Sequence, residues 1–176
     1  MPSTEPESGQ REIVRTAELS ADGAYRYRLT REWDAALGRV TFVMLNPSVA
    51  DALVDDRTIG RCMGFADRWG YGGIDVVNLF AYRATNPRVM KRAADPVGLE
   101  NDRYLVEALA TAPMMVCAWG GHAAARRVTE FSQLAAGREL LCLGTNQDGS
   151  PKHPLYVHGA AQLVPWGIGD AARASR

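Results

Sequence analysis

The stretch Val40 to Asp56, VTFVMLNPSVADALVDD, constrains the fold more than any other part of the chain. Val40 to Leu45 is a near-continuous apolar run with β-branched members, the pattern of a strand buried on both faces. The run breaks at Asn46-Pro47-Ser48, passes Asp51, Asp55 and Asp56, and enters a segment of helical spacing. A buried strand that empties into a polar loop and then a helix is the repeating unit of open α/β sheets. Their ligands bind beyond the carboxyl ends of the strands. Asn46, Pro47 and Ser48 are therefore expected to form one wall of a site.

The remainder of the chain supplies more such units. Asp55 or Asp56 can cap a helix in which Ile59, Cys62, Met63, Ala66 and Trp69 form an apolar stripe. Ile74 to Phe80 is a second buried strand with Asn78 near its end. Asp95-Pro96 has the form of a cap and first-turn proline, which predicts a helix from there to about Ala110. Met114 to Ala118 and Glu139 to Leu143 are further strands, with a helix predicted over His122 to Ala135 between them. Ahead of these, Tyr25, Tyr27 and Leu29 alternate with Arg26 and Arg28, the period of an edge strand or hairpin with one wet face. The pattern predicts one α/β domain over residues 11–168, a mostly parallel sheet covered by helices on both faces, with a disordered tail at 1–10 and a loose one at 169–176.

Composition removes several function classes. The net charge is zero, so the molecule as a whole is no electrostatic nucleic-acid binder. The basic residues concentrate locally: Arg57 to Arg92 holds seven Lys or Arg against Asp67 and Asp75. That segment could serve a phosphate or form a solvated surface. No apolar run approaches the roughly 20 residues of a membrane span, and the polar N-terminus lacks a secretory h-region. Cys62, Cys117 and Cys142 lie among apolar residues, as expected of buried thiols in a reducing cytoplasm. No Cys or His pair has zinc-finger spacing, and neither a metal nor a cofactor is expected. Oligomeric state is not legible.

In a parallel sheet the strand ends share one edge, so Asn46, Asn78, Trp119 and the loop leading to His153 are expected to converge. Asn46 either stabilises its turn or positions a water or polar ligand edge. Asp51, Asp55 and Asp56 are either caps or candidates to orient a nucleophilic water, and spacing does not choose among them. Asn78 lies in an apolar strand and must find partners for its amide. It is either a bridge between loops or a reader of a base-like edge. Arg83 is a candidate phosphate contact or a surface residue, and Phe80 and Tyr82 either stack on a planar ligand or pack in the core. His153 sits on a constrained loop aimed at the same edge. His122 follows Gly120-Gly121, which has the look of an anion-binding helix start.

Taken in order, MLNPSVAD, DDRTIGRC, FADRWGYGGIDVVNLFAYRATNP, CAWG and LGTNQDGSPKHPLY closely resemble the bacterial DUF1643 family, from about Tyr25 to Trp166. More remotely, the motif order is similar to the uracil-DNA glycosylase superfamily. There a loop of Gly-x-Asn-Pro-Gly or Gly-Glu-Ala-Pro-Gly type follows the first core strand, a strand with Asn leads to a loop with Arg and Pro, a later strand ends in Gly, and a His-Pro-Ser motif comes last. Here Asn46-Pro47-Ser48, Asn78 with Arg83 and Pro87, Trp119-Gly120 and His153-Pro154-Leu155 take those places. Ser48 stands where a motif glycine belongs, and Leu155 where the serine belongs. The resemblance implies a three-layer glycosylase-like α/β/α fold and an enzyme that hydrolyses an N-glycosidic bond in DNA or a nucleotide. Asn46 or a following Asp would position water, Asn78 would read the base, and His153 would stabilise charge on it. The alternative is a non-catalytic module that binds a nucleobase, nucleotide or nucleic acid. An unrelated small-molecule hydrolase or transferase on the same fold is a third.

Overall fold

The computed structural model describes residues 11–48 and 53–168. The expected tails and Asp51 lie outside these. Among the described residues the chain builds β1 (Val14–Leu19), β2 (Arg26–Glu32), β3 (Val40–Met44), α1 (Arg57–Arg68), β4 (Gly73–Asn78), α2 (Pro87–Arg92), α3 (Asn101–Thr111), β5 (Met115–Cys117), α4 (Ala125–Leu134), β6 (Leu141–Cys142) and β7 (Val164–Pro165). The strands form one sheet in the order β1-β2-β4-β3-β5-β6-β7.

The fold is α/β, but the sheet is mixed rather than mostly parallel. β4, β3, β5 and β6 run parallel. β1 and β2 join as a hairpin, which must be antiparallel, and β2 meets β4 in the same sense. β7, which the sequence pattern did not reveal, adds antiparallel to β6. β3 is buried along its whole length, because its two faces serve two cores. Val40, Phe42 and Met44 pack with Ile59, Cys62, Phe65 and Ala66 of α1. Val43 joins Val77 and Met115 against Met90 of α2, Leu105 and Leu109 of α3, and Phe131 of α4. Alternate residues of one strand thus face helices on opposite sides of the sheet.

β2 forms with β1 the hairpin that its alternation allowed, and it differs from the expected strand in two ways. It is an interior strand, flanked by β1 and β4, and it has no wet face at its start, since Arg26 is 4% exposed. Its register against β1 slips between Glu18 and Leu19: Glu18 pairs with Arg28 and Leu19 with Arg26, leaving Tyr27 as the extra residue of a bulge. A bulge reverses the alternation of the residues before it.

Helix boundaries also shift for local reasons. Asp95-Pro96 does not open a helix. The Asp95 carboxylate accepts from the Gly98 amide, and Gly98 turns the chain at φ +88° before α3 starts at Asn101. α2 was not among the expected elements; it is started by Asn86, whose side chain accepts from the Arg88 amide, and by Pro87 in the first turn. α4 begins at Ala125 rather than His122, and no side chain caps it.

Gly72 locks the chain entering β4. Its carbonyl accepts from the Trp33 and Asp34 amides at 2.8 and 2.9 Å, and a Cβ there would fall on the Asp34 carbonyl oxygen. Gly64 in α1 faces open space. Gly72→Ala is expected to lower the unfolding free energy in urea by about 2–3 kcal/mol. Gly64→Ala is expected to raise it by about 0.5–1 kcal/mol.

Candidate functional site

The parallel strands run in the order β4-β3-β5-β6, so the chain leaves β3 to one side for β4 and returns to the other for β5. The carboxyl ends of β3 and β5 therefore diverge into a crevice, the position where open α/β sheets bind ligands. A cleft of about 470 Å³ opens there, within the size range of small-molecule sites, about 300–1,000 Å³. Its floor is apolar, with Met44, Leu45, Ile59 and Val76.

Backbone pairing fixes the first wall. Beyond the ends of β3 and β4 the ladder continues: Leu79 N–H donates to Met44 O, Phe80 N–H to Leu45 O, and Ala84 N–H to Pro47 O, each at 2.9 Å. Asn46 seals this seam. Its Nδ2 donates to Ala84 O at 2.8 Å and to Pro47 O at 3.0 Å, which uses both amide hydrogens. Oδ1 is the group Asn46 can offer the cleft it lines.

The three carboxylates separate. Asp51 lies outside the described residues. Asp55 turns from the cleft and pairs with the fully buried Arg31 at 2.6 Å and with Arg15 at 3.3 Å. Asp56 lines the cleft. It caps α1 by accepting from Ile59 N–H at 2.8 Å, and its second oxygen accepts from Ser48 Oγ at 3.1 Å. Ser48 also lines the cleft.

Asn78 is 1% exposed and lines the cleft, and its Nδ2 has no acceptor among the described residues. Its backbone is held from behind: Asn101 Nδ2 donates to the Asn78 and Leu79 carbonyls, and Arg127 Nε to the Leu79 carbonyl at 2.7 Å. Across the cleft Trp119 is wedged edge-on between Phe131 and Trp166. Gly120 then turns at φ +76°, and its amide donates to Pro151 O. This turn brings the 120–122 and 152–156 segments together along one rim.

His153 lines that rim, half-buried. Its Nδ1 accepts from the Leu155 amide at 3.2 Å, which puts the proton of the neutral ring on Nε2. Burial lowers its pKa below the ordinary histidine value, and the Asp56 charge opposes that shift.

Pro47, Phe80, Tyr82 and Arg83 do not line the cleft. Pro47 is buried. Phe80 is in the core beside α2 and α3. Tyr82 meets the Tyr25 ring edge-on, and Arg83 Nη1 donates to Gly23 O at 2.9 Å. The basic segment 57–92 is likewise dispersed. Arg61 donates to the Pro154 and Val157 carbonyls, and α1 and α2 pack on opposite faces of the sheet.

Among the cleft residues that escaped the sequence reading are Arg26, Lys152 and Tyr156. Arg26 was hidden by the Tyr27 bulge, which re-aims it to the face of Leu29 and Arg31. Lys152 and Tyr156 flank His153, and adjacency was the signal for them. No group of three or more His, Cys, Asp or Glu among the described residues could hold a metal ion. The three cysteines are free and buried, and burial raises the Cys62 and Cys117 thiols. No helix of the described residues is long and apolar enough to cross a membrane.

Fold and cleft together define an α/β protein with a ligand-sized site at the switch point of its parallel strands. The chain belongs to the DUF1643 family, described as a protein of unknown function, whose model matches residues 26–155. No curated protein and no solved structure matches the chain.

The His153 shift has a consequence for stability. With its folded pKa below the unfolded value of about 6.5, the unfolded chain binds the extra proton between the two values. Stability therefore rises with pH through that window and is complete above it. The unfolding free energy of the protein is expected to fall as pH drops below about 6.5. His153→Asn, which keeps an acceptor for the Leu155 amide, is expected to lose that part of the slope in urea titrations.

Proposed function

We propose that the cleft binds a nucleobase and that the protein hydrolyses the N-glycosidic bond that carries it, on a three-layer fold of uracil-DNA glycosylase type. The observation that carries this reading is the buried, unpartnered Asn78 Nδ2 in a cleft that also holds Asp56 and His153. A buried donor in the lining of an apolar-floored cleft suits an acceptor on a planar ligand, such as a base carbonyl. The resemblance in motif order assigns the same three places to water positioning, base reading and charge stabilisation.

The chemistry follows from the groups present. Asp56 carboxylate and Asn46 Oδ1 orient a water and favour the cationic, oxocarbenium-like sugar. The water oxygen bonds to C1′ as the C1′–N bond breaks, and that electron pair departs with the base. The water's proton passes to Asp56 and then to the leaving base. His153, neutral with its proton on Nε2, donates to the base oxygen on which negative charge develops. The free buried thiols suit a cytoplasmic location.

A second reading has its own observation. Both Asp56 oxygens already accept a hydrogen bond, from Ile59 N–H and from Ser48 Oγ. That arrangement also suits a module that binds a nucleotide or nucleic acid without turning it over.

Nucleosides, nucleotides and uracil- or hypoxanthine-bearing oligonucleotides, assayed for released base, separate the two. Hydrolysis predicts release from at least one substrate. Asp56→Asn, which keeps an oxygen for the helix cap, and His153→Ala should each slow it about a hundredfold or more. Thermal stabilisation by these compounds with no base released from any of them sinks the hydrolytic reading and leaves the binding one.

A further inference from the structure

Among the described residues lining the cleft, two are cations, Arg26 and Lys152, against one carboxylate, Asp56, an excess of positive charge that base recognition does not require. Arg26 is the unusual member. At 4% exposure its guanidinium sits deep in the cleft lining, where charged side chains are rare. β2 inserts a bulge at Tyr27, and this places Arg26 on the cleft side of the sheet rather than beside Arg28. Burial pushes its pKa down to about 10, with Asp56 opposing and the Arg83 and Arg31 charges adding to the fall. It is still a cation at neutral pH.

We propose that Arg26 and Lys152 bind the phosphate of a free nucleoside 5′-monophosphate whose base is held at Asn78. This rests on the reading of the cleft as a nucleobase site and names its substrate class. Three observations favour a free nucleotide over a base within a polymer. The cleft volume, about 470 Å³, suits a single small-molecule ligand. Arg26 is buried, which suits a terminal phosphate entering the cleft better than a diester whose chain must leave on both sides. The chain has no net charge and its basic helices α1 and α2 lie on opposite faces, whereas polymer binding draws on many Lys and Arg contacts along one track.

Calorimetric titration tests this with inorganic phosphate, nucleosides, the matching 5′-monophosphates and a short single-stranded oligonucleotide as probes. At least one 5′-monophosphate should bind about tenfold or more tightly than its nucleoside, through charge-assisted bonds. That advantage should shrink with added salt and largely vanish in Arg26→Gln. Lys152→Gln, at a partly exposed position, gives the same test should Arg26→Gln not fold. Nucleosides binding as tightly as their monophosphates would overturn the proposal. So would an oligonucleotide binding more tightly than every monophosphate. The two readings fail separately. Monophosphate binding without base release removes the hydrolysis and keeps the phosphate site, whereas base release with no phosphate advantage does the reverse.

Discussion

A buried donor without an acceptor costs a folded protein about 1–3 kcal/mol, and Asn78 Nδ2 has no acceptor among the described residues. The surrounding structure makes the position rigid rather than relieving it. Asn101 and Arg127, from two helices on one face, grip the carbonyls of Asn78 and Leu79. On its other edge β4 is laddered to β3, and the pairing continues past the strand ends to Ala84 and Pro47. Asn78 can neither rotate its backbone away nor retreat from the sheet. Asn78 lines the cleft from this fixed backbone, and the cost of its unpaired donor is one that a ligand acceptor would offset.

The same restraint explains why the two asparagines at neighbouring strand ends behave differently. Asn46 spends both amide hydrogens on the seam between its own loop and the 82–84 segment. Asn78 has its backbone held by others and its side chain left over. One builds the wall, and the other lines the cleft with its Nδ2 unpaired among the described residues. Asp55 and Asp56 divide in the same way: Asp55 neutralises the buried Arg31, and Asp56 caps α1 where that helix meets the cleft.

Much of this was legible in the sequence, for reasons of period and topology. The unbroken apolar run at β3 required a strand buried on both faces, and parallel strands put their ends on one edge. Asn46, Asn78, Trp119 and His153 accordingly meet in one cleft. What was not legible depends on register and on tertiary pairing. Arg26 looked solvent-facing because alternation was extrapolated across a bulge that no local residue announces. Arg83, Phe80 and Tyr82 looked like site residues because they follow Asn78. The continued ladder carries that segment along the sheet, so Phe80 enters the core and Arg83 reaches Gly23 instead. The Asp95-Pro96 signal was genuine capping chemistry, spent on a turn at Gly98.

Whether the Asn78 amide meets a ligand is tested most directly by a crystal structure of the protein soaked with a nucleoside 5′-monophosphate. A base acceptor is expected about 3 Å from Asn78 Nδ2, between Trp119 and Asp56. A nucleotide bound elsewhere on the molecule, or an Asn78 amide paired to protein with the cleft closed over it, would contradict that expectation.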